Sequence, residues 1–347
     1  MRRHPTVRQV AAAAGVSPAT VSNALNGTGR LSEETRARVL TEIDRLGYRP
    51  STTARAAARG QTGIIGLTFT TYGPHAMDYT QNPYHAELAL GAIAEAHRRG
   101  FLLVVLPDST SSWVWMTTPL DGVIHCEPRA TDPVLAVLHK RDIPLVTVGA
   151  IIEGTDASEP GVGRPYDDTD HATAISLVLD HLLESGSRRP AILLPEHDDA
   201  YPLVVRQAVE SWSERSGVSV RTGTFPVFPG YPDTERAAAH ALLRERPRPD
   251  ALVGLYDPSA ENILAVASEL GIPVPGRLKV VGFSEGHTYA LTTPPVTTVD
   301  WGARVLGEQA VDMLLALVDG RRLRRPYRLV RPTLHVRRST GSPVALS

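Results

Sequence analysis

The chain is 347 residues long, 42% hydrophobic and 21% charged, with a net charge of −1 and a single cysteine, Cys126. That length exceeds one ordinary domain of roughly 100 to 200 residues, and the balanced composition excludes a disordered or fibrous class. One cysteine excludes an internal disulfide and a thiolate metal cage.

A lone cysteine is more often a small buried hydrophobe than a nucleophile. No apolar run approaches the roughly 20 residues that span a bilayer, and the basic start "MRRHPTVRQV" is not followed by the apolar stretch of a secretory signal. A cytoplasmic location with no membrane partner is therefore expected. The charge is uneven: ten arginines and four acids fall before Gly60, giving that end +6 and the remainder −7. A basic head on an acidic body suits contact with a polyphosphate at one end, although a solvated surface has the same look.

In chain order, Thr6 with Gln9 reads as a capping box, and Val7, Val10, Ala11 and Ala14 recur at helical spacing until Gly15. Ser17 caps a second helix with Pro18 in its first position, where the missing N–H costs nothing. On that helix Val21, Ala24 and Leu25 share one face, and the short, uncharged side chains of Ala19, Thr20, Ser22 and Asn23 fall largely on the other. A third helix is predicted from Ser32, with Glu33 and Glu34 in its first turn, Val39, Leu40, Ile43 and Leu46 buried, and Gly47 as its stop. Helix, tight glycine turn and helix are the pattern of a helix-turn-helix, whose second helix enters the major groove. Small side chains let it approach base edges, where Asn bonds adenine and Ala touches a thymine methyl. A small three-helix bundle that only docks on the rest of the chain is the alternative.

The stretch "TVRQVAAAAGVSPATVSNALNGTGRLSEETRARVLTEIDRLGYRPSTTARAAARG", with its "AGVSxxTVSxxLN" core and "LGYRP" end, resembles the headpiece of the lac-repressor (LacI/GalR) family of transcriptional regulators. The resemblance implies that Pro18, Ala19, Ser22 and Asn23 face the bases. It places Thr6, Ser17, Thr20 and Asn26 where the family grips phosphates. "STTARAAARG" after Pro50 has good helix formers but almost no apolar face, so alone it is marginal as a helix. By the same resemblance it is a hinge helix that orders in the minor groove, with Ala57 at the position of the usual leucine wedge; either the kink is smaller here, or Arg55, with its cationic reach into the groove, does more of the holding.

From Gly63 apolar strands alternate with amphipathic helices. "GIIGLTF", "FLLVVLP", "DGVIH" and "IPLVTVG" read as strands around helices at Tyr84 to Arg99 and Asp132 to Arg141. A second series follows: helix Thr173 to Glu184, "PAILLP", helix Leu203 to Ser216, "VSVRTGTF", helix Thr234 to Arg246, "DALVGLY", helix Ala260 to Leu270 and "RLKVVGF". Strands without polar alternation are buried on both faces, which predicts parallel sheets covered by helices. Two such runs make two doubly wound lobes, with a small molecule expected in the cleft between them.

This part resembles the periplasmic-binding-protein-like effector domain of the same family through "NPYHAELALGAIAEAHRRG", "GIPVPGRLKVVGF" and "PPVTTV". The expected fold is thus α/β, an all-α helix-turn-helix headpiece (Met1 to Arg49), a hinge (Pro50 to Gln61) and a two-lobed doubly wound domain from Thr62 to residue 340. "DSTSSWVWMTTPL" leaves little room for the full helix the family fits between Pro107 and Asp121. Candidate effector residues are Tyr84, Asp108, His125, Arg206, Asp257, Ser284, Glu285 and Trp301. Arg206 or Val205 aligns with the family's ligand-gripping arginine; Asp257 and Ser284-Glu285 stand where it has acidic motifs. Asp257 also reads as a cap of the helix after it and Ser284 and Glu285 as loop residues, Trp301 as a ring for stacking or for packing at a lobe crossover, and His125 as cleft-lining or as a satisfied loop histidine.

The chain carries no Gly-x-Gly-x-x-Gly, Walker loop, Gly-x-Ser-x-Gly or His-Glu-x-x-His motif, so an enzyme is not expected, nor a metal or cofactor. A periplasmic carrier would need a signal peptide and no headpiece. The expectation is a repressor on a pseudo-palindromic double-stranded DNA operator, controlled by a small molecule such as a sugar. It would act as a homodimer, or a tetramer beyond that.

Overall fold

Residues Met1–Thr62 and Gly63–Ser347 form two separate compact units. The computed structural model describes residues 5–26, 29–48, 61–71, 82–107, 113–129, 131–151, 165–196, 199–256, 259–283 and 289–341.

In the first unit, α1 (Val7–Ala14) starts because Thr6 accepts the Gln9 amide while the Gln9 side chain accepts the Thr6 amide. It stops at Gly15, whose left-handed backbone satisfies the last carbonyls. α2 (Pro18–Asn26) is capped by Ser17, which accepts the Thr20 amide at 3.1 Å. α3 (Glu33–Leu46) is capped by Ser32 and ended by Gly47. Val10, Val21 and Val39, one from each helix, are fully buried together with Ala11, Ala14, Ala24 and Ile43. Each such valine contributes about 1.5 to 3 kcal/mol. Leu40, expected in this core, is instead 41% exposed, and Leu46 is only half-buried, because the inward stripe of α3 runs through Val39 and Ile43.

The second unit has two six-stranded sheets. In the first lobe the order is β11 (Tyr327–Val330), β5 (Tyr166–Thr169), β4 (Leu145–Val148), β3 (Gly122–Cys126), β1 (Ile64–Phe69), β2 (Leu102–Val105), all parallel. In the second it is β12 (Thr333–His335), β10 (Thr297–Asp300), β9 (Lys279–Phe283), β8 (Ala251–Gly254), β6 (Pro190–Glu196), β7 (Arg221–Pro226), with β12 alone antiparallel. Most central strands are apolar on both faces, as parallel sheets require. The edge strand β2 departs from that expectation: Leu102 is 66% exposed, since no sheet neighbour lies beyond it.

In the first lobe α4 (Pro83–Arg98) and α11 (Ala303–Val318) cover one face, through Leu88, Ala92, Leu306, Ala310 and Leu314. The other face packs on α6 (Pro133–Lys140) and on Trp115 of the single-turn α5 (Val114–Thr117), the short helix that the sequence leaves room for. The second lobe is covered by α7 (His171–Glu184) and α8 (Tyr201–Ser216) on one side. α9 (Asp233–Arg244) and α10 (Ser259–Glu269) cover the other. The chain passes between lobes three times: at Asp170 between β5 and α7, at Trp301-Gly302 between β10 and α11, and between β11 and β12. No helix among the described residues is long and apolar enough to cross a membrane.

Candidate functional site

On α2 the side chains of Pro18, Ala19 and Ser22 are exposed, as are Thr6 and Ser17, while Thr20 and Asn23 are half-buried. Ser17 Oγ and Thr20 Oγ1 share a 2.9 Å hydrogen bond that fixes both hydroxyls at the helix start. Gly29 lies against Asn23: a Cβ there would stand 2.9 Å from Asn23 Nδ2, and the left-handed backbone at φ 78° favours glycine. Arg38 on α3 donates to the Ala14 carbonyl at 3.1 Å and ties α3 to the end of α1. The result is a rigid support under an uncharged outer face. Asn26 ends α2, but its side chain, Arg55 and Ala57 lie outside the described residues.

In the second unit a pocket enclosing about 840 Å³, with the open solvent at its mouth counted in, lies between the lobes. The first lobe supplies Asn82, Tyr84 and His85 at the start of α4, Glu127 after β3, Val148 to Ala150 after β4, and Asp168 on β5. The second lobe supplies His171, Asp199 to Tyr201, Leu255, Tyr256 and Phe283. Most of these lie at carboxyl ends of parallel strands or at the helix starts that follow, where open α/β sheets bind ligands. Trp301, in the second crossover, lines the same space. Its ring meets Tyr84 at 5.7 Å, His171 at 5.0 Å, Tyr201 at 5.2 Å and Phe283 at 5.3 Å between centroids. One indole thus touches rings from both lobes, and the Thr169 hydroxyl donates to its carbonyl at 3.0 Å, joining two crossovers.

The polar groups are paired in a repeating way. His85 Nε2 lies 3.3 Å from Glu127 Oε2, and His171 Nε2 lies 3.1 Å from Asp168 Oδ1. Asp199 accepts the Tyr201 amide at 2.9 Å, and the Tyr201 hydroxyl donates to the Leu255 carbonyl at 2.7 Å. Glu127 has φ 55°, a left-handed conformation rare outside glycine, and its backbone N–H donates to the Val148 carbonyl at 2.7 Å. Such a residue costs on the order of 1 to 3 kcal/mol and aims its carboxylate where a regular strand end would not. At the rim, Arg129 forms an isolated backbone bridge with Asp199, so the loops after β3 and β6 touch. Burial, then the charges of Glu127 and Asp168, push the Tyr84 hydroxyl well above its ordinary range. Tyr201 is raised likewise by burial, then Asp199, Glu127 and Asp168.

Of the expected effector residues, Tyr84 and Trp301 line this pocket. His125 does not: it is fully buried on β3, with Nε2 2.8 Å from Asp132 Oδ2. Burial pushes Asp132 upward, but the His125 hydrogen bond and charge with two backbone amides outweigh it and hold the carboxyl below its ordinary value. Arg206 is also absent from the lining. The inward stripe of α8 is Pro202, Val205, Val209 and Trp212, which turns Arg206 to solvent. Asp108, Asp257, Ser284 and Glu285 lie outside the described residues. His85, Glu127, Asp168, His171, Asp199 and Tyr201 were missed. "YDDT" of β5 carries strand-averse aspartates, so the element that presents Asp168 was not foreseen. Cys126, the lone cysteine, is buried, and burial pushes its thiol up.

Among known proteins, residues 6–51 match the family model described as bacterial regulatory proteins, lacI family, and residues 179–340 match that of the periplasmic binding protein-like domain. Similar relatives include the HTH-type transcriptional regulator MalR of Staphylococcus xylosus, 23% identical over 96% of this chain and 98% of that protein. The HTH-type transcriptional repressor PurR of Serratia proteamaculans is 27% identical over 97% of each, and the ribose operon repressor of Bacillus subtilis 26% over 90% and 91%. Among solved structures, the transcriptional regulator CelR–cellobiose complex has a TM-score of 0.70 at 25% identity, covering 96% of this chain and 99% of that one. The lac repressor dimer bound to operator and the anti-inducer ONPF has a TM-score of 0.76 at 22% identity, covering 98% and 100%.

Proposed function

The chain belongs to the lacI family of bacterial regulatory proteins, and from that premise we propose that the pocket between its lobes holds the small molecule that sets the DNA affinity of its headpiece. Membership makes it a DNA-binding transcriptional regulator under effector control. The observation that carries the pocket assignment is Trp301: a crossover residue that lines the cavity and touches rings of both lobes makes lobe geometry depend on what fills the space.

Residues Met1 to Arg49 are the headpiece, Pro50 to Gln61 the hinge and the chain from Thr62 the effector domain. The regulator is a repressor and a homodimer, so each headpiece reads one half of a pseudo-palindromic operator. Pro18, Ala19, Ser22 and Asn23 face the bases, and Thr6, Ser17, Thr20 and Asn26 contact phosphates. Arg55 and Ala57 work in the minor groove, where a methyl group pries less than a leucine. A ligand that fixes one lobe arrangement changes the separation of the two hinges, and with it operator affinity.

The test is to select an operator from a random duplex library with the full chain and to repeat the selection with Asn23→Ala. Loss of discrimination at one base pair per half-site, worth about 1 to 3 kcal/mol, is expected. An unchanged preference at every position would remove Asn23 from the base-reading set.

A further inference from the structure

The polar lining of the interlobe pocket is lopsided in charge and in hydrogen-bonding sense. Glu127, Asp168 and Asp199 are acids, and no lysine or arginine is among the described residues that line it. Arg129, at the rim, is not a lining residue and donates its guanidinium to the Thr71 carbonyl.

Each pocket histidine turns Nε2 to a carboxylate, which only accepts, so in the neutral ring Nε2 carries the proton and Nδ1 is left as an acceptor. Those two Nδ1 atoms are buried without a hydrogen-bond partner, in rings only 3% and 6% exposed. The Tyr201 hydroxyl has spent its proton on Leu255, which leaves its oxygen an acceptor as well. Against these stands one buried donor without a partner, the Trp301 indole Nε1. The described lining residues are therefore richer in unpartnered buried acceptors than in unpartnered buried donors.

The lining is short of positive charge as well. A neutral ligand would bury Glu127 and Asp168 with only His85 and His171 beside them and no lysine or arginine among the described lining residues, and burial of an undercompensated carboxylate is costly. The lining is also aromatic: Tyr84, Tyr201, Phe283 and Trp301 meet edge to face or tilted, and aromatic faces attract cations. That Tyr84 of the first lobe and Tyr201 of the second both feel Glu127 and Asp168 means the two carboxylates act on both walls.

We propose that this pocket takes an organic ammonium ion, whose protonated amine is held by Glu127 and Asp168 and whose skeleton rests on the aromatic wall around Trp301. The proposal rests on the reading of the pocket as the effector site and narrows it to one chemical class. Anionic sugars and nucleotides are excluded by the same charges, and neutral sugars bind more weakly than their amino counterparts.

The experiment titrates the full chain calorimetrically with matched triplets on common skeletons: D-glucosamine, D-glucose and D-glucose 6-phosphate; tyramine, 4-ethylphenol and 4-hydroxyphenylacetate. Choline is compared with its neutral isostere 3,3-dimethyl-1-butanol. In every set that binds, the ammonium member should bind at least about tenfold tighter than the neutral one, with the anion not binding. Glu127→Gln and Asp168→Asn, each checked for an unchanged melting temperature without ligand, should erase most of that advantage. Glu127, the more exposed of the two, keeps the test open if the Asp168 variant does not fold. A neutral or anionic member that binds as tightly as its ammonium partner overturns the proposal, and so does a panel in which no ammonium binds. Operator affinity measured in the same samples separates the two readings: an ammonium that binds without altering it defeats the regulatory role and leaves the charge assignment standing. A neutral ligand that alters it does the reverse.

Discussion

Single residues decide much of the energetics of the effector domain. Asp167 and Asp168 are neighbours on β5 with opposite fates, because strand alternation turns Asp168 to the pocket and Asp167 into the protein. Asp167 is fully buried, and neither carboxylate oxygen has a hydrogen-bond partner. Burial, and then the charge of Asp168, raise it from 3.8 to about 8, with Arg328 opposing. Arg328 stands opposite in register but donates to Asp312 at 3.0 Å. Between about pH 4 and 8 the folded state thus keeps a proton that the unfolded chain has already released, so stability should fall as pH rises through that window and level off above it. Asp167→Asn keeps the shape and removes the ionisation. Thermal melts should show the variant equal to the parent near pH 4 and more stable at pH 8 by at least about 2 °C, the low end of the shift that 1 kcal/mol produces in domains of roughly 150 to 250 residues. Parallel pH profiles for the two proteins would refute the assignment. His125 illustrates the same divide between chemistry and structure: a histidine at a strand end near a cleft is, here, half of a buried pair with Asp132 that braces α6.

At the scale of elements, α4 and α11 approach so closely that two glycines are required where they cross. A Cβ on Gly307 would fall 2.0 Å from the Leu88 carbonyl oxygen, and one on Gly91 the same distance from the Arg304 carbonyl oxygen. These obstacles are backbone, so no side chain can swing aside. Gly307→Ala should force the helices apart and cost about 1 to 3 kcal/mol or more, read as a lower melting temperature of the effector domain with the headpiece helices intact by circular dichroism. An unaltered melting temperature would show that the helices slide at no cost. Elements of this kind were legible to different degrees. The period of α4, α7 and α8 and the caps at Thr6, Ser17 and Ser32 are local signals, and the structure keeps them. The pocket was mostly illegible because its members come from many separate segments. Glu127 enters by an unusual φ and Asp168 sits on a strand of unfavourable composition, and neither leaves a mark on periodicity. Arg206 misled because alignment to a motif says nothing of which side of α8 is apolar.

At the scale of the whole molecule, linkage binds the two functions together. Whatever factor an effector applies to operator affinity, the operator must apply to effector affinity. Calorimetric titration of the effector with and without a saturating selected operator should therefore give the same ratio as operator titrations with and without effector; unequal ratios would show that the two ligands meet different states. The threefold passage of the chain between lobes has a further bearing, on how the protein comes into being. α4 must cover its face of the first sheet together with α11, which lies more than 200 residues later, and β11 beside β5 is later still. During synthesis, which proceeds at about 5 to 20 residues per second, the apolar side of the nascent first lobe stays uncovered for on the order of 10 seconds or more while the second lobe emerges. α11 and β11, which complete the first lobe, leave the ribosome only after β10 of the second, so a product that stops before them would lack not a tail but a wall, and would be a natural substrate for chaperones and proteases.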